Sequence, residues 1–169
     1  MEKVILFDDG EEYWYNVYNI VKSFYKKGDK LMYFEWKDEF SVNIAEIDRQ
    51  HQRLFEIGAR INDLAYAKDG FDHYDDIMQV IHELREYTQF HFDHEEKMME
   101  KHGYERFEAQ KFEHHFVIKK IQKFENSDID ERQDDTILGL VSFVSDWISS
   151  HILKEDMKYK EFFNNKGVF

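Results

Sequence analysis

A chain of 169 residues with a formal charge of -13 and a sequence pI near 5.1 is long enough for one well-buried domain. Its charge argues against nucleic acid and anionic membranes as partners. The absence of cysteine excludes disulfides, zinc-thiolate sites and iron–sulfur clusters, so any bound metal is held by nitrogen and oxygen alone. No proline, few glycines and long stretches rich in Glu, Lys, Leu, Ile and Met predict an all-α protein. Only Val4-Ile5-Leu6-Phe7 lies between Met1-Glu2-Lys3 and Asp8-Asp9, too short an apolar run for a signal peptide or a membrane span, and the expected location is cytoplasmic.

Asp8-Asp9-Gly10 is a turn signal, after which Trp14, Val17, Val21 and Phe24 recur at helical spacing until Gly28-Asp29. The pattern predicts an amphipathic helix of about four turns. It suits a helix covering an apolar patch of the main domain. With Tyr13, Tyr15, Tyr18 and Tyr25 beside it, it equally suits a docking or homo-oligomer contact. Residues 1–32 therefore read as a helical extension, and 33–169 as the main domain.

Trp36 and Phe40 read as loop anchors. Asp48 offers an N-cap for a helix running to about Ala67, with the seam Ile47, His51, Leu54, Gly58, Ile61, Ala65. A turn at Lys68-Asp69-Gly70-Phe71-Asp72 ends it. The next helix, about His73 to Lys101, carries Ile77, Ile81, Leu84, Thr88, His91, Glu95 and Met98, and closes at His102-Gly103. A third, about Glu105 to Glu125, carries Phe107, Gln110, His114, Val117, Ile121 and Phe124. After the polar loop Asn126 to Gln133 the last helix carries Ile137, Leu140, Val144, Trp147 and His151.

Four helices with three-four seams and short connections predict an antiparallel up-down-up-down four-helix bundle. Polar groups interrupt every seam. Buried histidine and glutamate are costly unless paired or metal-bound, so the breaks point to a site inside the bundle. His91 and Glu95 stand one turn apart on one face of their helix. With Gly103 as pivot, His91 falls level with His114 and Glu95 with Gln110. Asp156 follows His151 by five residues, which on a straight α-helix turns it about 140° away, so a break is expected near Leu153 to Glu155.

From Trp36 to Tyr159 the chain resembles a bacterial hemerythrin. The resemblance rests on Glu46-Ile47-Asp48-Arg49-Gln50-His51-Gln52-Arg53-Leu54-Phe55, His91-Phe92-Asp93-His94-Glu95-Glu96-Lys97-Met98-Met99, Gly103-Tyr104, His114, and Trp147-Ile148-Ser149-Ser150-His151 with Asp156. It implies two non-haem irons, oxo- or hydroxo-bridged, inside the bundle and reversible binding of dioxygen at one of them. It further implies His51 and His91 on the oxygen-binding iron, His114 and His151 on the other, and Glu95 and Asp156 bridging both. Imidazole and carboxylate are a ligand set suited to such iron.

One position departs from the family pattern: where a histidine belongs four residues before His114, this chain has Gln110. Its amide oxygen can bind iron weakly, or it can hydrogen-bond a water that does. Leu54, Phe55 and Trp147 are expected to wall the oxygen pocket and keep it dry. His73, His82 and His94 fall off the seam and read as solvent-facing. His102 reads as a helix cap, and His115 is rotated about 100° from His114. The resemblance implies an oxygen binder for storage, delivery or sensing. A di-iron peroxidase or oxidase, admitting peroxide at a coordination position left open by Gln110, and a regulatory module working through the N-terminal helix are the alternatives.

Overall fold

The apolar seams form four long helices, α1 (Ala45–Ala65), α2 (Tyr74–His102), α3 (Phe107–Glu125) and α4 (Gln133–His151). They are seen in a computed structural model that describes residues 34–67, 71–127 and 133–169. A 3-10 turn at Asp38–Phe40 precedes α1, and a π-helical turn at Ile152–Asp156 joins α4 to a short α5 (Met157–Asn164). The expected N-terminal amphipathic helix lies outside the described residues.

Helix α1 packs on α2 and α4, α2 packs on α3, and Phe124 of α3 meets Phe143 of α4. The fold is the all-α four-helix bundle expected from the seams. Ile47, Leu54 and Ile61 of α1, Ile77, Ile81 and Leu84 of α2, Val117 and Ile121 of α3, and Ile137, Leu140 and Val144 of α4 are all buried. Each such side chain removed from water contributes about 1.5–3 kcal/mol. Within Thr136–Asn164 one 18-residue window has a mean hydropathy of 1.3, apolar enough by composition to cross a membrane, but its apolar residues form the fourth wall of this core.

Helix α1 begins at Ala45, three residues before the expected cap. Asp48 does not end the chain's extended run. Its carboxylate instead reaches back, accepting the Val42 N–H at 2.8 Å and the Ser41 hydroxyl at 2.6 Å. That grip holds the strap ahead of the helix, where Asn43 adopts a left-handed φ of 57°. Lys160 of α5 donates to the Ser41 carbonyl at 2.7 Å, fastening the same strap to the other end of the chain.

Gly103 sits at φ 68°, ψ 47°, a left-handed conformation that glycine adopts without the Cβ penalty, and it stops α2. The Tyr104 N–H then closes on the Met99 carbonyl at 3.0 Å. Tyr104 packs with Val42, Ile44, Ile47, Met99, Tyr159 and Phe163 to seal this end of the bundle.

The expected break after His151 takes a different form. The chain stays helical through Leu153–Glu155, but as a π turn in which the Met157 N–H bonds the Ile152 carbonyl five residues back. Five residues overshoot an α-turn by about 140°, whereas a π turn closes i to i+5 and brings a five-residue spacing close to one revolution. Asp156 therefore follows His151 into the core without an end to the helix.

Candidate metal centre

Every helix of the bundle delivers polar side chains to one level of the core. Helix α2 brings His91 and Glu95, α3 brings Gln110 and His114, α1 brings His51, α4 brings His151 and the π turn brings Asp156; all seven are buried. His51 Nε2 and His151 Nε2 approach the Asp156 carboxylate, each at 3.3 Å, one to Oδ2 and the other to Oδ1. On the opposite side His114 Nε2 and His91 Nε2 approach Glu95 Oε2 at 3.3 and 3.6 Å. Gln110 Nε2 donates to Asp156 Oδ1 at 3.5 Å, the long limit of a hydrogen bond.

Among the described residues the inward atoms lack hydrogen-bond partners. Nε2 of His51, His114 and His151, Oε2 of Glu95, Oδ2 of Asp156 and Oε1 of Gln110 are all buried and unsatisfied. Each orphaned polar atom costs about 1–3 kcal/mol, more when charged, so six in one core layer favour a bound group between them. Nitrogen and carboxylate lone pairs converging from several sides fit a cation. Two donor groups have atoms within 4.8 Å of one another: His51, His91, Glu95 and Asp156, and Glu95, His114 and His151. Glu95 belongs to both.

Electrostatics prepare these donors. Burial drives His91 down to about 3, so its ring is neutral at physiological pH and its lone pair is free. Burial alone would raise Glu95, but His91 and His114 outweigh it and hold the carboxyl below its ordinary range, ionised. His114 is pulled down by burial and up by the Glu95 and Glu96 carboxylates, and the carboxylates win. Burial, then Asp156 and Glu95, push the Tyr159 phenol well above 10, so it remains a donor.

A surrounding layer holds the donors in place, and here the structure departs from sequence expectations. Gln50, buried on α1, accepts from His91 Nδ1 at 3.0 Å and uses its amide nitrogen on Glu46 at 3.0 Å and on His94 Nδ1 at 2.7 Å. His94, expected to face solvent, is half-buried as the partner of Gln50. Glu96 accepts from His114 Nδ1 at 2.9 Å. The Tyr159 hydroxyl donates to Glu95 Oε1 at 2.5 Å. Phe92 lies flat on His114, with ring centroids 3.8 Å apart and planes 2° apart.

Of the expected pocket walls, Leu54 is buried one turn from His51, and the Trp147 ring centroid stands 6.1 Å from that of His151, its plane nearly perpendicular to Phe92. Phe55 is buried against Phe40 and Trp36. The remaining histidines are peripheral. His115 is exposed, His82 pairs with Glu125 on the surface, and His102 sets its ring against Phe163 in the last turn of α2. His73, expected in solvent, is half-buried beside Asp76 at 3.2 Å.

Fold and donor set together define a four-helix-bundle protein with a buried imidazole and carboxylate centre for a pair of cations. Residues 42–163 match the family model described as the hemerythrin HHE cation binding domain. The chain is 42% identical over 126 residues to the bacteriohemerythrin of Clostridium acetobutylicum, covering 75% of this chain and 98% of that protein. It is 34% identical over 130 residues to the bacteriohemerythrin of Pseudomonas aeruginosa, covering 76% and 80%. It is 30% identical over 127 residues to hemerythrin subunit alpha of Lingula reevii, covering 75% and 92%. The chain belongs to the hemerythrin family, and with it to the non-haem di-iron proteins that bind dioxygen.

Proposed function

We propose that the protein binds dioxygen reversibly at two irons held between α1, α2, α3, α4 and the π turn, for storage, delivery or sensing. The observation that carries this reading is the ring of buried, unpartnered donor atoms directed at a common centre. Iron supplies the reversible capture of dioxygen through its ferrous and ferric states.

Two donor groups support the ligand assignment. His51 and His91 would hold the oxygen-binding iron and His114 and His151 the other, with Glu95, which belongs to both groups, and Asp156, whose two oxygens approach His51 and His151, shared between them. Gln50 accepts the Nδ1 proton of His91, which keeps Nε2 as the free lone pair. The Tyr159 phenol holds Glu95 with Oε2 toward His91 and His114, where it would serve the metals. Leu54, Phe92 and Trp147 exclude water, which slows irreversible oxidation. Gln110 contributes a weak amide-oxygen ligand or orders a water, and leaves its pocket one imidazole short.

Residues 33–169 form the oxygen-binding domain, and residues 1–32 form an extension through which copies of the chain or a protein partner associate in the cytoplasm. Deleting residues 1–32 tests the second part: an unchanged oligomeric state and oxygen response would overturn it. The main reading is tested by loading the reduced protein with ferrous iron and admitting oxygen. A visible absorption band that appears with oxygen and disappears on its removal is expected. Prompt, irreversible conversion to a ferric spectrum would refute reversible binding.

A further inference from the structure

The two pockets are backed differently. In the pocket of His51 and His91, the outer nitrogen of His91 meets the neutral amide of Gln50, and His51 Nδ1 has no hydrogen-bond partner among the described residues. In the pocket of His114 and His151, the outer nitrogen of His114 meets the carboxylate of Glu96 at 2.9 Å. That charged backing stands in the pocket that Gln110 faces, its amide nitrogen 3.5 Å from the Asp156 oxygen that His151 approaches, where the family pattern implies an imidazole.

We propose that Glu96 is a positioning residue that keeps a metal in the His114–His151 pocket, its carboxylate behind His114 compensating for the imidazole that Gln110 does not provide; this rests on the di-iron reading above. Glu96 follows Glu95 on α2, and the 100° step between neighbours turns it from the core toward α3. There it accepts the Nδ1 proton, so Nε2 is presented inward as a lone pair, 3.3 Å from Glu95 Oε2. Its side chain is 21% exposed, which spares much of its charge from solvent screening. Phe92, stacked flat on the ring, prevents His114 from turning away.

A carboxylate behind a ligating imidazole makes the ring a better electron donor and fixes its orientation, and loss of such a partner typically weakens metal binding about 10–100-fold. Gln110 supplies no comparable donation. It is a neutral amide, and its nitrogen is engaged with Asp156 Oδ1. Among the described residues that hydrogen-bond the ligands of this pocket, Glu96 adds negative charge without also facing the first pocket.

The test uses the full chain and ferrous iron, with competitive binding isotherms and iron content after a chelator challenge. Glu96→Gln keeps an acceptor for Nδ1 and removes the charge. It should weaken one of two binding events about 10–100-fold, leaving nearer one iron per chain after the challenge. Gln110→His added to Glu96→Gln should restore the second iron, a rescue that a merely structural role for Glu96 does not give. Where Glu96→Gln does not fold, Glu96→Asp withdraws the charge by one methylene and should weaken the same event to a lesser degree. Native-like binding of both irons by Glu96→Gln, equal weakening of both, or failure of Gln110→His to rescue would each overturn the proposal. A native protein that binds no iron would instead remove the di-iron reading itself.

Discussion

His151 and Asp156 stand one π turn apart, with Nε2 of the histidine 3.3 Å from Oδ1 of the carboxylate. The five-residue spacing works only because that turn is wide, which sets the register of the whole π segment. Inserting one alanine after Leu153 makes the spacing six, and on an α-helix this places the carboxylate about 240° from His151. Deleting Leu153, which is 44% exposed, makes it four, the spacing by which His91 and Glu95 already share a face. The insertion variant should lose iron while the deletion variant retains more of it, as read by metal analysis on protein of unchanged helical content. Equal loss in both would contradict the register argument.

Tyr159→Phe removes the phenol that donates to Glu95 Oε1 and leaves a buried carboxylate oxygen unpaired. Stability of the metal-free protein should fall by about 1–3 kcal/mol, visible as a lower urea midpoint with an unchanged slope. The oxygen-dependent absorption band should also shift, because one bridging ligand loses its hydrogen bond. A variant indistinguishable from native in both measurements would show that Glu95 is held by other means.

Trp147→Ala opens a gap beside Phe92 and His151. Truncating a buried tryptophan costs about 3–5 kcal/mol. Water entering the gap should hasten irreversible oxidation, measured as faster decay of the oxygen-dependent band in air. Native-like persistence of the band at the same temperature would assign the dryness of the site to other residues.

With no metal bound, the protein should lose stability as the pH falls. His91 has its folded pKa at about 3, below the ordinary 6.5, so the unfolded chain binds more protons between those values and stability falls as the pH falls through that window. The slope from this group reaches roughly 1.4 kcal/mol per pH unit. Glu95 is depressed below its ordinary 4.5, so its contribution is present above that value and is lost on further acidification. His114 is raised above 6.5; it stabilises fully below that value, and its contribution is lost as pH rises through the raised pKa. Urea midpoints at pH 7, 5.5 and 4 should decline, more steeply in the second interval. A flat profile would show that the buried histidine is not desolvated in solution.

What could be read from the chain depended on whether a residue lay on a helical seam. His51, His91, Glu95, Gln110, His114 and His151 replace apolar residues in a three-four pattern, and periodicity alone turns them inward. Asp156 breaks that pattern: its spacing from His151 pointed to a break in the helix, and the family resemblance gave it a role as a ligand, but a π turn has no spacing signal distinct from an α-helix. Gln50, Glu96 and Tyr159 were missed for another reason. Their partners lie 41, 18 and 64 residues away, and a polar residue beside a seam looks the same whether it meets water or a neighbouring helix. Asp48 carried a real capping signal, but the groups it holds lie in the strap upstream of the expected helix start.

The donors come from every wall of the bundle, so a bound metal crosslinks segments that are otherwise joined by apolar packing and a few hydrogen bonds. A ligand that binds only the folded state adds about 2.7 kcal/mol of stability when present at a hundred times its dissociation constant. Iron supply thus enters the turnover of the polypeptide. Under iron starvation a larger share of the chains opens to proteases, so the protein's lifetime follows the metal even where its synthesis does not.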